Sequence, residues 1–116
     1  MRIRSVLQEY EAKLSPSYPG TSTTGHTGRG KAEWKVYGDG TRRCKVRVYG
    51  LNLPEGVVLH VAVSGQPIGE MVVRRGTARY ERESERGEYV PVVDLNQVLQ
   101  VSYSGQAILE GRFYPE

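Results

Sequence analysis

Few residues in this 116-residue chain could do chemistry, and they are scattered. Gly25, Gly30 and Lys31 reproduce the G-x4-G-K spacing of a loop whose backbone amides cradle phosphates, with Ala32 where such a loop carries a magnesium-binding Ser or Thr. The flanks do not suit that role. A buried strand should lead into the loop and a helix should leave it, whereas SPSYPGTSTT precedes it and AEWKVYGDG, which alternates like a strand, follows. With 14 glycines in the chain the match reads as chance, and no nucleotide is expected. Glu81, Glu83 and Glu85 could tempt a glycosidase reading, but alternate strand residues point to one solvated face, and neither neighbour offers the apolar burial that raises a catalytic acid's pKa. Ser64, Ser84, Ser102 and Ser104 have no evident base or nucleophile elbow. The single cysteine, Cys44, cannot form an intramolecular disulfide and reads as a small buried strand residue. The sequence therefore points away from an enzyme.

Three regions would have to position any site. Ile3, Leu7, Tyr10 and Leu14 recur at spacings of four, three and four, which predicts a helical stripe over residues 1–14. A helix that short is marginal alone, so the stripe must dock, and a strand that completes a neighbour's sheet is the alternative. Residues 15–30, rich in Gly, Pro, Ser and Thr, read as a flexible tether.

Residues 31–116 read as all β. Trp34, Val36, Cys44, Val46 and Val48 alternate with charged residues around Gly38-Asp39-Gly40. A three-residue loop with Gly40 left-handed would pair Trp34 with Cys44 and bury Trp34 on the apolar face. Strands are expected at 31–37, 42–49, 57–63, 67–75, 77–83, 97–103 and 107–114. VAVSGQPIGE (61–70) and VSYSGQAILE (101–110) share V-x-x-S-G-Q-x-I-x-E at an offset of forty, predicting two equivalent tight turns, which could also cluster at one end of the fold. Ile68 and Val72 compete with Met71 and Val73 for the inner face. The charged run at 79–89 reads as an edge strand. Together these features predict an antiparallel, Ig-like β-sandwich of about seven strands carrying a short N-terminal arm, helix or strand.

One stretch carries a family likeness. VRVYGLNLPEGVVLHVAVSG (46–65) resembles the strand-loop-strand unit of copper/zinc superoxide dismutases and of the related CHRD-type bacterial sandwich domains. The resemblance implies a sandwich and favours an extracellular or cell-surface location, although no secretory signal is evident. In that pattern a His-x-His strand follows the turn; His60 matches its first position and Ala62 replaces the second. His26, in the tether, is the other histidine, so no metal and no cofactor is expected.

Charge is uneven along the chain. Residues 1–50 hold ten Lys or Arg against four Asp or Glu, and residues 51–116 hold six against nine. Such a split favours head-to-tail association of like subunits. No apolar run approaches the roughly 20 residues that cross a bilayer, so no membrane span is expected. Two functions are compatible with these features. One is a non-enzymatic assembly subunit whose arm (Ile3, Leu7, Tyr10, Leu14) docks on a neighbouring copy in a homo-oligomer or filament. The other is a ligand-binding module whose face of Tyr37, Arg43, Lys45, Arg47 and Tyr49 holds an acidic polysaccharide or protein. Nucleic acid ranks lower, because no base-stacking motif accompanies the basic strip.

Overall fold

The computed structural model describes residues 5–17 and 28–115. Nine strands run through them: β1 (Val6–Pro16), β2 (Arg29–Tyr37), β3 (Arg42–Tyr49), β4 (Val58–Val63), β5 (Gln66–Val72), β6 (Ala78–Glu83), β7 (Val98–Tyr103), β8 (Gln106–Arg112) and the two-residue β9 (Tyr114–Pro115). A single 3-10 turn, Ser84–Arg86, follows β6. The strands pair antiparallel along one path, β5-β4-β7-β8-β1-β2-β3-β6, with β9 beside β1.

The all-β, antiparallel class stands, but the seven-stranded Ig-like sandwich is corrected: one sheet curls until its ends meet in a nearly closed barrel. At the seam between β5 and β6, the Tyr80 hydroxyl donates to the Ile68 carbonyl at 3.1 Å. The Tyr80 ring lies on Gly69, where any Cβ would collide with it. A residue without a side chain is needed there for the two edges to come this close. The edge strands are otherwise blunted by Pro67 on β5 and by Arg79, Glu81 and Glu83 on β6, the charged edge that the sequence suggested.

The N-terminal segment is the largest departure from expectation. It takes the strand alternative, but in its own sheet rather than a neighbour's: β1 pairs along β2 from Val6 to Leu14, and its last two residues pair with β8. Ala12 is fully buried and Leu14 is 2% exposed within the core. Among the described residues no helical stripe forms. Leu14 points inward, Tyr10 is half-buried and stacks on Trp34 at 5.2 Å, and Leu7 is 66% exposed at an irregularity in the register. Ile3 lies outside the described residues. The period-2 alternation of Tyr10, Ala12 and Leu14 against Glu9, Glu11 and Lys13 prevails because two existing strands offer unpaired backbone to it. The division into an arm (1–14), a tether (15–30) and a domain (31–116) is corrected accordingly. Residues 5–16 belong to the barrel, β2 begins at Arg29, and residues 18–27 lie outside the description.

The first hairpin forms as its sequence predicts. Trp34 pairs with Cys44, Gly40 has φ +85°, and the Tyr37 amide donates to the Thr41 carbonyl at 2.8 Å to close the loop. Trp34 is 3% exposed, and its indole N–H donates at 2.8 Å to the carbonyl of Pro91, in the segment that brings Val90 and Val93 into the core.

The forty-residue repeat is a structural duplicate. Ser64-Gly65 and Ser104-Gly105 all have positive φ, the two-residue turn that suits twisted hairpins. Both hairpins carry the same bulge: Val61 faces Gly69 before Ala62 faces Pro67, and Val101 faces Leu109 before Ser102 faces Ala107. The extra residue is Ile68 in one and Ile108 in the other, and it resets the alternation so that Met71 and Val73 turn inward while Val72 is 41% exposed. The two turns do not cluster. β4 and β7 are antiparallel, with Val63 facing Leu99 and the Ser64 amide bonded to the Val98 carbonyl, so the two Ser-Gly turns sit at opposite ends of the sheet.

Candidate functional site

The residues first suspected of chemistry stand apart. Cys44 is fully buried, and burial pushes its thiol up to about 12, which leaves it protonated and unreactive at neutral pH. His60 is exposed on the outer face of β4, with Nδ1 at 3.4 Å from Glu70 Oε2. Among the described residues no group of three or more His, Cys, Asp or Glu converges; His26 and Gly25 lie outside them. Gly30 and Lys31 sit within β2, not in a loop before a helix. Ser84 Oγ accepts the Arg42 amide at 2.7 Å as part of the turn after β6. Glu85 belongs to that turn rather than to the strand, so only Glu81 and Glu83 share a face.

What the sheet does assemble is a set of charge rows across the outer face of β1, β2, β3 and β6. Strand alternation sends Trp34, Val46 and Tyr80 inward and their neighbours outward, and register then decides which outward residues share a row. The first row, Glu9, Lys35, Arg43 and Glu83, has two cations and two anions. Glu11, Glu33, Lys45 and Glu81 make the second, with three carboxylates around one lysine. The third row is Lys13, Lys31, Arg47 and Arg79, four cations with no anion among them. Beyond it, Arg29 stands opposite Tyr49, which is 48% exposed.

Ion pairing follows these rows. Arg43 donates to Glu81 at 2.7 Å and lies 3.5 Å from Glu83; this hydrogen bond holds the Glu81 carboxyl below the usual carboxylate range and raises Arg43. Lys35 reaches Glu9 at 3.2 Å. Lys31 leans back to Glu11 and Glu33, at 3.6 Å each. Among the described residues no carboxylate stands within ion-pair distance of Lys13, Arg47, Arg79 or Arg29. Like charges directly opposite in a sheet are destabilising, so three consecutive cation-cation pairs are a cost that the neighbouring rows largely avoid.

The surface relief follows the same end of the face. One depression of about 310 Å³ is lined by Arg47, Tyr49, Thr77, Ala78 and Arg79. A second, of about 390 Å³, includes Glu11, Lys13, Ser15, Arg29, Lys31 and Tyr49 in its lining. A smaller one of about 140 Å³ lies among Lys31, Glu33, Lys45 and Arg47.

No protein-family model matches this chain, nor does any curated protein.

The expected face of Tyr37, Arg43, Lys45, Arg47 and Tyr49 splits in two. Tyr37 is 7% exposed beside Arg43, Arg43 is neutralised by Glu81 and Glu83, and Lys45 stands between Glu33 and Glu81. Only Arg47 and Tyr49 belong to the uncompensated end. Strand-by-strand reading missed Lys13, Arg29 and Arg79, which join that end through pairing with neighbouring strands, and Lys31, which shares the row but pairs with Glu11 and Glu33.

Proposed function

We propose that this protein is a non-enzymatic binding module that holds an acidic polymer on the basic end of its outer sheet face. The observation that carries the reading is the unbroken row Lys13, Lys31, Arg47, Arg79. Neighbouring strands in a sheet lie about 4.8 Å apart, so four strands space these charges over roughly 14 Å. A rigid ladder of cations suits a ligand that carries several negative charges along its length, and a single small anion could use only part of it. The mutual repulsion within the row is relieved when such a ligand binds. Backbone register fixes the spacing of the row in advance, so binding has to order the side chains but not the strands that carry them.

The arm-exchange reading, in which Ile3, Leu7, Tyr10 and Leu14 dock on a neighbouring copy, has no comparable support, since Leu14 and Ala12 are buried in their own barrel. Retention on an immobilised sulfated polymer tests the proposal. The wild type is expected to be retained at low salt and released as salt rises, and the Arg47→Glu, Arg79→Glu double variant to pass through. Equal retention of the two proteins would refute it.

A further inference from the structure

Tyr49 borders two depressions, and each has its own cations. On one side stand Arg47 and Arg79; on the other stand Lys13, Arg29 and Lys31, with Glu11, the partner of Lys31, also in the lining. Tyr49 is the last residue of β3, it lies opposite Arg29, and nearly half of its surface is open to solvent. An exposed aromatic ring flanked by cations on both sides offers two kinds of contact at once. The ring takes a flat apolar surface by stacking and C–H contact, and the cations take charged substituents on either side. A polyanion without rings, such as a polycarboxylate chain, would use the cations and leave Tyr49 idle.

Resting on the binding role proposed above, we infer that the ligand is an acidic polysaccharide, with one sugar ring packed on Tyr49 and its charged substituents reaching into the two flanking depressions. Charge complementarity selects an anionic occupant, and the ring between the charges selects a saccharide over a simple polyanion. Nucleic acid also pairs rings with charges, but among the described residues Tyr49 is the one aromatic lining these two depressions, and strand-tracking surfaces supply several stacking positions in succession.

The test measures affinity of the wild type, Tyr49→Ala and Tyr49→Phe for three probes: a heparin oligosaccharide, poly-glutamate and an oligothymidylate of comparable charge. Emission from the buried Trp34 reports that each variant is folded. Tyr49→Ala is expected to lose roughly tenfold in affinity for the heparin oligosaccharide and little for poly-glutamate, while Tyr49→Phe, which keeps the ring, stays near wild type. Equal effects of Tyr49→Ala on both probes, or none on heparin, would overturn the ring-stacking inference while leaving the basic row intact. Tighter binding of the oligothymidylate than of heparin, lost in Tyr49→Ala, would overturn it in favour of nucleic acid. Failure of the wild type to bind any of the three would remove the binding role itself.

Discussion

Individual side chains in this barrel are sorted by whether register gives them an opposite charge. Arg43 and Glu81 illustrate the compensated case. Their hydrogen bond lowers the Glu81 pKa, so its stabilising contribution is present above the unfolded carboxylate value of about 4.3 and fades as pH falls through the lower folded value. Both groups are partly open to water, which keeps the contribution small. Glu81→Gln is accordingly expected to flatten the acid limb of the stability profile slightly, as followed by urea unfolding between pH 7 and 3, with no change in shape above pH 6. Trp34 represents the buried case. Its ring fills the core, stacks on Tyr10 and satisfies its N–H on Pro91. Trp34→Ala should cost about 3–5 kcal/mol by urea unfolding, and the native protein should emit at a wavelength typical of a tryptophan shielded from water. Much of this was legible beforehand, because alternation and the Gly38-Asp39-Gly40 loop specify which residues face Trp34. The same register also puts Lys31 opposite Arg47 and Lys35 opposite Arg43. What stayed hidden was the contribution of β1 and β6, since Lys13 and Arg79 join the row only through pairings that no local turn sets.

Among the elements, β1 decides the architecture. It joins the half-sheet of β4, β5, β7 and β8 to the half-sheet of β2, β3 and β6, and its burial removes the apolar stripe that an exchanged arm would need. The spacing of Ile3, Leu7, Tyr10 and Leu14 matched a helix by coincidence. Ala12, a weak hydrophobic signal, carries the strand phase that the helical template overlooked, and period alone cannot separate the two in so short a segment. Deleting residues 1–16 should therefore leave an unfolded or aggregating chain, since β2 and β8 would each lose a partner. Leu14→Ala should cost about 2–5 kcal/mol, whereas Leu7→Asp, at a largely exposed position, should stay within about 0.5 kcal/mol in urea unfolding. A folded, stable truncation would place β1 outside the cooperative core. The duplicated hairpins show the opposite balance of local and distant information. S-G-Q sets the turn from neighbouring residues alone, so both turns could be read from sequence, whereas the bulge at the following isoleucine and the antiparallel pairing of β4 with β7, which puts the turns at opposite ends, could not.

On the scale of the whole molecule, the modest net charge of +3 conceals a polarised face. A row of three carboxylates and a lysine lies beside a row of four cations, and the three depressions on this face gather around the latter. Register rather than position along the chain makes this division, since Glu11 and Glu33 come from the basic half of the sequence and Arg79 from the acidic half. Binding by such a ladder should release counterions from a polyelectrolyte, so log affinity should fall linearly with log salt concentration. The most direct measurement is the affinity for a heparin oligosaccharide across a salt series, for the wild type, for Arg47→Glu with Arg79→Glu, and for Arg86→Glu with Arg112→Glu, which changes net charge equally but lies off the basic row. A basic row that binds the polymer requires a steep negative slope for the wild type, a loss of affinity with a slope shallower by about two or more for the first double variant, and a slope close to wild type for the second. Equal losses in the two double variants, or binding insensitive to salt, would contradict it.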